Sequence, residues 1–258
     1  MQHQKIVEHI TIWLKDYLVK SNLDGFVVGV SGGVDSALTA TLAALTGRPT
    51  ILVNMPIFQS KKQHERSSQQ IKCLEDNFPN IKSYEVDLSP IFNSMIEHFP
   101  NKVQNPLSMA NARARLRMTT LYTFACAQKL LVVGTGNKVE DFGVGFYTKY
   151  GDGGVDISPI ADLMKTEVFS LAKHLNVLDS ILDAKPSDGL WGDDRSDEDQ
   201  LGATYPELEW AMSNVETLDQ SNFTKRQIQV MAIYNKHNKA NRHKMEPIPV
   251  CDIPKVYK

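Results

Sequence analysis

Residues 26–40 read FVVGVSGGVDSALTA. A run of β-branched and aromatic residues stops at Ser31-Gly32-Gly33, and a helix-forming stretch begins at once with Val34-Asp35-Ser36. A glycine corner between a strand and a helix presents free backbone N–H groups, and the helix dipole adds positive potential, so this corner suits a phosphate or pyrophosphate. Gly32 and Gly33 allow close approach and positive φ, while Ser31 and Ser36 add hydroxyl donors. The corner is not a Walker A loop, because no lysine follows its glycines, nor a dinucleotide fingerprint, because the third glycine is absent. Asp35 is the unusual member. A carboxylate beside a phosphate is repulsive unless a cation bridges them, and Mg²⁺ takes one or two carboxylates together with phosphate oxygens. An acid in a first helical turn also simply complements the dipole, and spacing alone leaves both roles open.

The elements that must position this corner follow from periodicity. Phe26 to Val30 reads as a strand, followed by a helix to about Leu45. PTILVNMP is a second strand, and SKKQHERSSQQIKCLEDNF is helical with Ile71, Leu74 and Phe78 on its apolar side. IKSYEVDL is a third strand, with a short helix through Met95 after it. PLSMANARARLRMTTLYTFACAQK is a long helix with proline in its first turn, and LLVVGT is a fourth strand ending at Gly134-Thr135. Alternation of this kind predicts an α/β fold, a parallel sheet with helices on both faces. Ligands then bind beyond the carboxyl ends of the strands, so the loops after the first and fourth strands share one rim. Lys138 to Pro159 reads as a glycine-rich loop and residues 185–210 as a second long loop. Helices resume between them with LMKTEVFSLAKHL, and the last part is helical before a basic, proline-punctuated tail, NKHNKANRHKMEPIPV.

Bulk properties narrow the class. The 258 residues read as a single domain, 1–258, long enough to bury about three quarters of its unfolded surface. A formal net charge of -2 argues against a duplex nucleic-acid binder. Cys73, Cys126 and Cys251 form no CxxC pair and no closed disulfide set; two of them fall in helical apolar patterns, which predicts buried free thiols and a reducing compartment. Near the start, Ile6, Ile10, Trp13, Leu14, Tyr17 and Leu18 fall on a helical stripe, not in a leader peptide. No run of about 18 apolar residues occurs, so no membrane span is expected, and the cytoplasm is the expected location. An HExxH spacing is absent from the sequence, which leaves zinc-protease chemistry without support.

The string SGGVDS after a strand resembles the pyrophosphate loop of the N-type ATP pyrophosphatases. Downstream, NARARLRM (111–118), GTGNKVE (134–140), GFYTKYGDGGVDISPIADLMKTEV (145–168), KPS (185–187), SDEDQLGATY (196–205) and RHK (242–244) follow in the order seen in the ammonia-dependent NAD synthetases. The resemblance covers nearly the whole chain. It implies the adenine nucleotide alpha hydrolase-like fold and a ligase that adenylylates the nicotinate carboxylate of deamido-NAD with ATP, then amidates it with ammonia. By matching motif, it implies that Gly29, Val30, Ser31, Gly32, Gly33, Val34, Asp35 and Ser36 cradle ATP with Thr135, Lys165 and Ser187. It places Mg²⁺ on Asp35 and Glu140, and ammonia at Asp152. Arg115, Lys149, Asp156, His243 and Lys244 fall to deamido-NAD. On a helix Arg113 and Arg117 share a face while Arg115 points away, so RARLR is not one basic patch. The resemblance also implies a homodimer with deamido-NAD at the subunit interface, for which the apolar stripes of 107–124 are suited, as they are for a core.

Three departures from the family pattern stand out. One extra residue separates the acid from Thr148-Lys149, in EDFGVGF, and places Asp141 beside Glu140. Either acid could face the metal; the intact GT-x-N-x-x-E register favours Glu140. SDGLW (187–191) and ELEWAM (207–212) differ from the usual segments over the site. Two other readings compete: an ATP pyrophosphatase with a different acceptor, and a nucleotide sensor without turnover. The intact Asp35, Glu140 and Lys165 argue against the second. A glutaminase domain does not fit within this length, so glutamine use would need a separate subunit.

Overall fold

The computed structural model describes residues 1–187, 196–217 and 221–258. Its sheet has four strands, β1 (Gly25–Gly29), β2 (Thr50–Asn54), β3 (Ile81–Glu85) and β4 (Leu130–Val133). They are arranged β3-β2-β1-β4, with every pairing parallel. β1 and β4 are neighbours, with Val28 opposite Val133, so the turns that follow them open side by side, as the motif positions require.

Alternation along the strands sorts the core into two layers. Phe26, Val28, Leu52, Leu131 and Val133 face one side, where α1 (His3–Ser21), α2 (Val34–Leu45), α3 (Lys61–Asn77), α6 (Lys165–His174) and α7 (Asp179–Leu182) cover them. Val27, Ile51, Val53 and Val132 face the other, against α4 (Ser89–His98) and α5 (Pro106–Gln128). Phe26 is fully buried; truncating such a ring costs about 3–5 kcal/mol. A third cluster, set apart from the sheet, joins residues 139–144 to α8 (Asp197–Leu201), α9 (Tyr205–Asn214) and α10 (Lys225–Met245). Among the described residues no helix is long and apolar enough to cross a membrane.

The structure corrects several expectations. The second long loop contains α8 and α9. Their starts are written in the sequence as Ser196-x-x-Asp199 and Thr204-x-x-Glu207 boxes, each reciprocal, with Pro206 in the first turn of α9. Within the glycine-rich stretch, residues Val139–Val144 form a π-helical turn. One extra residue in a helical turn is absorbed in this way, which gives the additional residue of EDFGVGF a place. The basic segment before Met245 is not tail but the last half of α10, capped by Thr224 and ended before Pro247. Cys126 and Cys251 are exposed and Cys73 only partly covered; α5 buries little beyond Ala110, Ala114 and Ala125, so its thiol lies on the outer face. In α1 the buried stripe is Val7, Ile10, Thr11, Leu14 and Leu18, leaving Trp13 and Tyr17 outside. Of SDGLW, residues 188–191 lie outside the described residues.

Candidate active site

The corner after β1 is held by its own hydroxyls. The Ser31 N–H donates to Ser36 Oγ at 3.2 Å, Gly33 N–H to Ser31 Oγ at 3.3 Å, and the Ser36 hydroxyl to Gly33 O at 3.0 Å. Gly32 has φ +82, and a Cβ there would meet Gln63 O at 2.9 Å, so both conformation and space require glycine. The first-turn N–H groups of α2 have no intrahelical acceptor and face the space beyond the strand ends.

Into that space three charged side chains converge from separate elements. Asp35 comes from the first turn of α2, Glu140 from the π-helical turn after β4, and Lys165 from the start of α6. The Lys165 ammonium donates to Asp35 Oδ2 at 2.6 Å and to Glu140 Oε1 at 2.9 Å. All three are well covered, with side-chain exposures of 4% for the lysine, 16% for Asp35 and 17% for Glu140. Burial works against the ammonium, but the two carboxylates outweigh it and hold Lys165 charged, above its ordinary range. For Asp35 burial dominates and raises the carboxyl, despite Lys165. Glu140 goes the other way: burial is outweighed by Lys165 and by a hydroxyl from Tyr205, which keep it below the usual range. Two acids against one base leave a buried cluster short of positive charge.

Two neutral donors complete the cluster. Asn137, fully buried, donates from Nδ2 to Asp35 Oδ1 at 3.0 Å, while its Oδ1 accepts from the N–H groups of Val139 and Glu140, each at 3.1 Å. Tyr205 donates its hydroxyl to Glu140 Oε1 at 2.5 Å. Neither was singled out from the sequence. Asn137 stands in the GT-x-N-x-x-E register, and Tyr205 opens the helix that the Thr204 capping box announces. Asp141, the residue beside the extra position, lays its carboxylate against Gly136, where a Cβ would meet Oδ2 at 2.1 Å. Burial and the neighbouring Glu140 push its carboxyl up to about 8.

Gly29 through Ser36, Thr135, Glu140, Asp152, Lys165 and Ser187 all line one cleft, together with Asp141. Arg115, Lys149, Asp156 and His243 are not among its lining residues, and Lys244 lines a smaller adjoining recess with Asp141, Tyr147 and Asp152. These five stitch the rim together. Arg115, exposed, donates to Lys149 O at 3.2 Å; Lys149 donates to His243 O at 2.6 Å. Lys244 donates to Gly145 O and Tyr147 O, both at 2.7 Å. Asp156 is anchored to the sheet edge by Val132 N–H at 2.8 Å and by the Tyr122 hydroxyl at 3.0 Å. Asp152 accepts from Thr148 N–H at 2.9 Å. Arg117, whose spacing suits a surface ion pair, instead enters the cleft wall, donating to Met55 O at 3.0 Å and Gln59 Oε1 at 3.1 Å. The face shared by Arg113 and Arg117 is the one turned toward the body of the protein, with the Arg113 guanidinium 5.4 Å from the centre of the Phe92 ring.

Comparison with known proteins adds the family. Residues 6–247 match the family model described as NAD synthase. A protein of Finegoldia magna named NH(3)-dependent NAD(+) synthetase is 37% identical over 220 residues, which cover 84% of this chain and 88% of that one. Among solved structures, the NMN synthetase of Francisella tularensis superposes with a TM-score of 0.86 at 30% identity, covering 98% of this chain and 100% of that one. The NH3-dependent NAD synthetase of Campylobacter jejuni, solved in complex with nitrate ion, gives 0.79 at 26% identity with the same coverage.

Proposed function

This chain belongs to the NAD synthase family, and from that premise we propose that it is an ammonia-dependent NAD synthetase, a ligase that forms a carbon–nitrogen bond. The observation that carries the reading is the convergence of Asp35, Glu140 and Lys165 on the glycine corner after β1. A carboxylate does not react with ammonia near neutral pH, so its oxygen must first become part of a leaving group. One nicotinate oxygen of deamido-NAD attacks the α-phosphorus of ATP, the bond to the β-phosphate oxygen breaks, and pyrophosphate leaves. Ammonia then attacks the acyl carbon, AMP leaves, and the extra proton on nitrogen passes to a base. A single domain carries both steps.

The chain's own residues supply the positioning. Backbone N–H groups at 32–36 and the Ser31 and Ser36 hydroxyls receive phosphate oxygens, with Thr135 and Ser187 as further contacts to ATP. The two carboxylates that the Lys165 ammonium now bridges are oxygen donors that suit Mg²⁺ when phosphate oxygens fill its remaining positions; Asp35 and Glu140 would hold it. When bound, Mg²⁺ neutralises phosphate charge next to those acids. Lys165, displaced from between them, turns to the phosphates. Asp152, at the cleft wall, attracts ammonium and accepts the proton as nitrogen attacks. Arg115, Lys149, Asp156, His243 and Lys244 serve the dinucleotide from the rim. The exposure of Arg115, Asp156 and His243 fits a homodimer in which a second copy completes that side. The partly covered and exposed thiols fit a reducing compartment, the cytoplasm.

A second reading keeps the chemistry and changes the acceptor. The likeness to an NMN synthetase over nearly the full length favours nicotinate mononucleotide. Incubation with Mg-ATP and ammonium, separately with deamido-NAD and with nicotinate mononucleotide, tests both. NAD with equimolar AMP supports the first reading and nicotinamide mononucleotide with AMP the second. AMP transfer to neither acceptor would sink both.

A further inference from the structure

Besides the lysine they share, the two acids at the cation position take neutral side-chain donors, and Asn137 reaches toward both of them. Asp35 has Asn137, from the turn after β4; Glu140 has Tyr205, the first residue of α9. Tyr205 is 3% exposed. Its ring lies 4.8 Å from the Lys165 ammonium, and Asp197 Oδ2 stands at 3.4 Å as a second acceptor for its hydroxyl. Lys165 and Tyr205 both hold the same oxygen of Glu140. When the ammonium leaves for the phosphates, Tyr205 is the donor that remains on that oxygen. A glutamate released from both donors regains rotamers that cation binding would have to remove again.

We propose that Tyr205 is a positioning residue of the cation site, whose hydroxyl fixes the Glu140 carboxylate and ties it to the helical segment 196–214. The inference rests on the reading of Asp35 and Glu140 as Mg²⁺ ligands. It gives that segment a part in the chemistry through a bond made 65 residues apart in sequence. The capping box at Thr204 fixes the start of α9, and Tyr205, next in sequence, is thereby aimed at the cleft.

The test uses Mn²⁺ as the probe for Mg²⁺, titrated into the full chain with a non-hydrolysable ATP analogue and followed by the electron paramagnetic resonance of free Mn²⁺. Tyr205→Phe keeps the ring and its contact with Lys165 and removes one charge-assisted hydrogen bond. We expect Mn²⁺ to bind roughly tenfold more weakly. In turnover, the Mg²⁺ concentration for half-maximal rate rises by a similar factor while kcat at saturating Mg²⁺ falls far less. In a Glu140→Gln background the same substitution adds less than about twofold, because the hydroxyl acts through that carboxylate. Unchanged Mn²⁺ affinity in Tyr205→Phe overturns the proposal, as does a loss that persists in full beside Glu140→Gln, or a Tyr205→Phe chain that does not fold. If the wild-type protein with nucleotide binds no Mn²⁺, the Mg²⁺ reading itself fails and takes the proposal with it; if wild type binds and the variant matches it, only the role of Tyr205 falls.

Discussion

The cleft beyond β1 and the rim beside it anchor their side chains in different ways. At the cleft Asp35, Glu140 and Lys165 are held by one another and, from behind, by the buried Asn137 and Tyr205 through side-chain bonds. On the rim Arg115, Lys149 and Lys244 direct their donors to backbone carbonyls of neighbouring segments, with Arg115 exposed and the two lysines half-buried. The cleft is thus arranged for charge within one chain. The rim fastens α5, the 145–156 stretch and α10 together. Removing one of the two acids in the cleft should therefore alter chemistry while the fold persists, removing the cation they share should cost stability as well, and changes on the rim should alter acceptor binding alone.

The sharpest way to break that contrast is Asp35→Asn. It removes a charge that no neighbour replaces, while Lys165 keeps Glu140 as partner. Turnover should fall by roughly 10²–10³-fold or more, with the unfolding midpoint shifted by only a few degrees. A variant that melts early, or one that keeps full rate, would contradict the division of labour. Lys165→Met strips the shared cation and leaves two covered carboxylates facing each other, a loss of about 3–5 kcal/mol of stability. Added Mg²⁺ should recover more stability in this variant than in wild type, as followed by thermal unfolding; equal gains would mean that Mg²⁺ does not occupy the position between the acids.

Lys149→Ala tests the other side. The KM for the acceptor should rise by about tenfold, or 1.4 kcal/mol, with the KM for ATP within about twofold. Parallel changes in both constants would mean that rim and cleft are one unit. The smallest effect belongs to the solvent side of the first turn of α9. Glu207 accepts from both Arg226 Nε and Nη2 and from the Thr204 N–H, and the Arg226 hydrogen bonds, foremost, hold its carboxyl at about 2, below the ordinary 4.5. A depressed carboxyl contributes stability that is present above its unfolded value and lost as pH falls through about 4.5 toward 2. Glu207→Gln should flatten that part of the acid-unfolding curve without moving the Mg²⁺ requirement, which separates the surface anchor of α9 from Tyr205 in the same turn.

What could be read from the sequence follows the same division. The corner at 31–36 is local: strand, glycines, acid and helix start lie within one window, so its geometry and its neighbour at the end of β4 were both legible. The single fold-level periodicity of strands and helices carried the sheet as well. Glu140 and Lys165 needed the family motifs to be noticed, since neither is unusual on spacing alone. Asn137 and Tyr205 were missed because what makes them matter is a contact across the fold, 102 residues from Asp35 to Asn137 and 65 from Glu140 to Tyr205. The two helices hidden in residues 196–214 had a local signal in their capping boxes, outweighed in reading by nearby glycines and acids. Arg117 shows the limit of helical spacing: it identifies which residues share a face but not which way that face turns.

The central claim is that a magnesium-bound triphosphate sits where β1 gives way to α2. A crystal structure of the full chain with Mg²⁺ and a non-hydrolysable ATP analogue tests it directly. The account predicts phosphate oxygens on the backbone N–H groups of 32–36, Mg²⁺ between Asp35 and Glu140, and the Lys165 ammonium moved from the acids to the phosphates. A corner left empty, with the nucleotide bound elsewhere and Lys165 still bridging the two carboxylates, would contradict it.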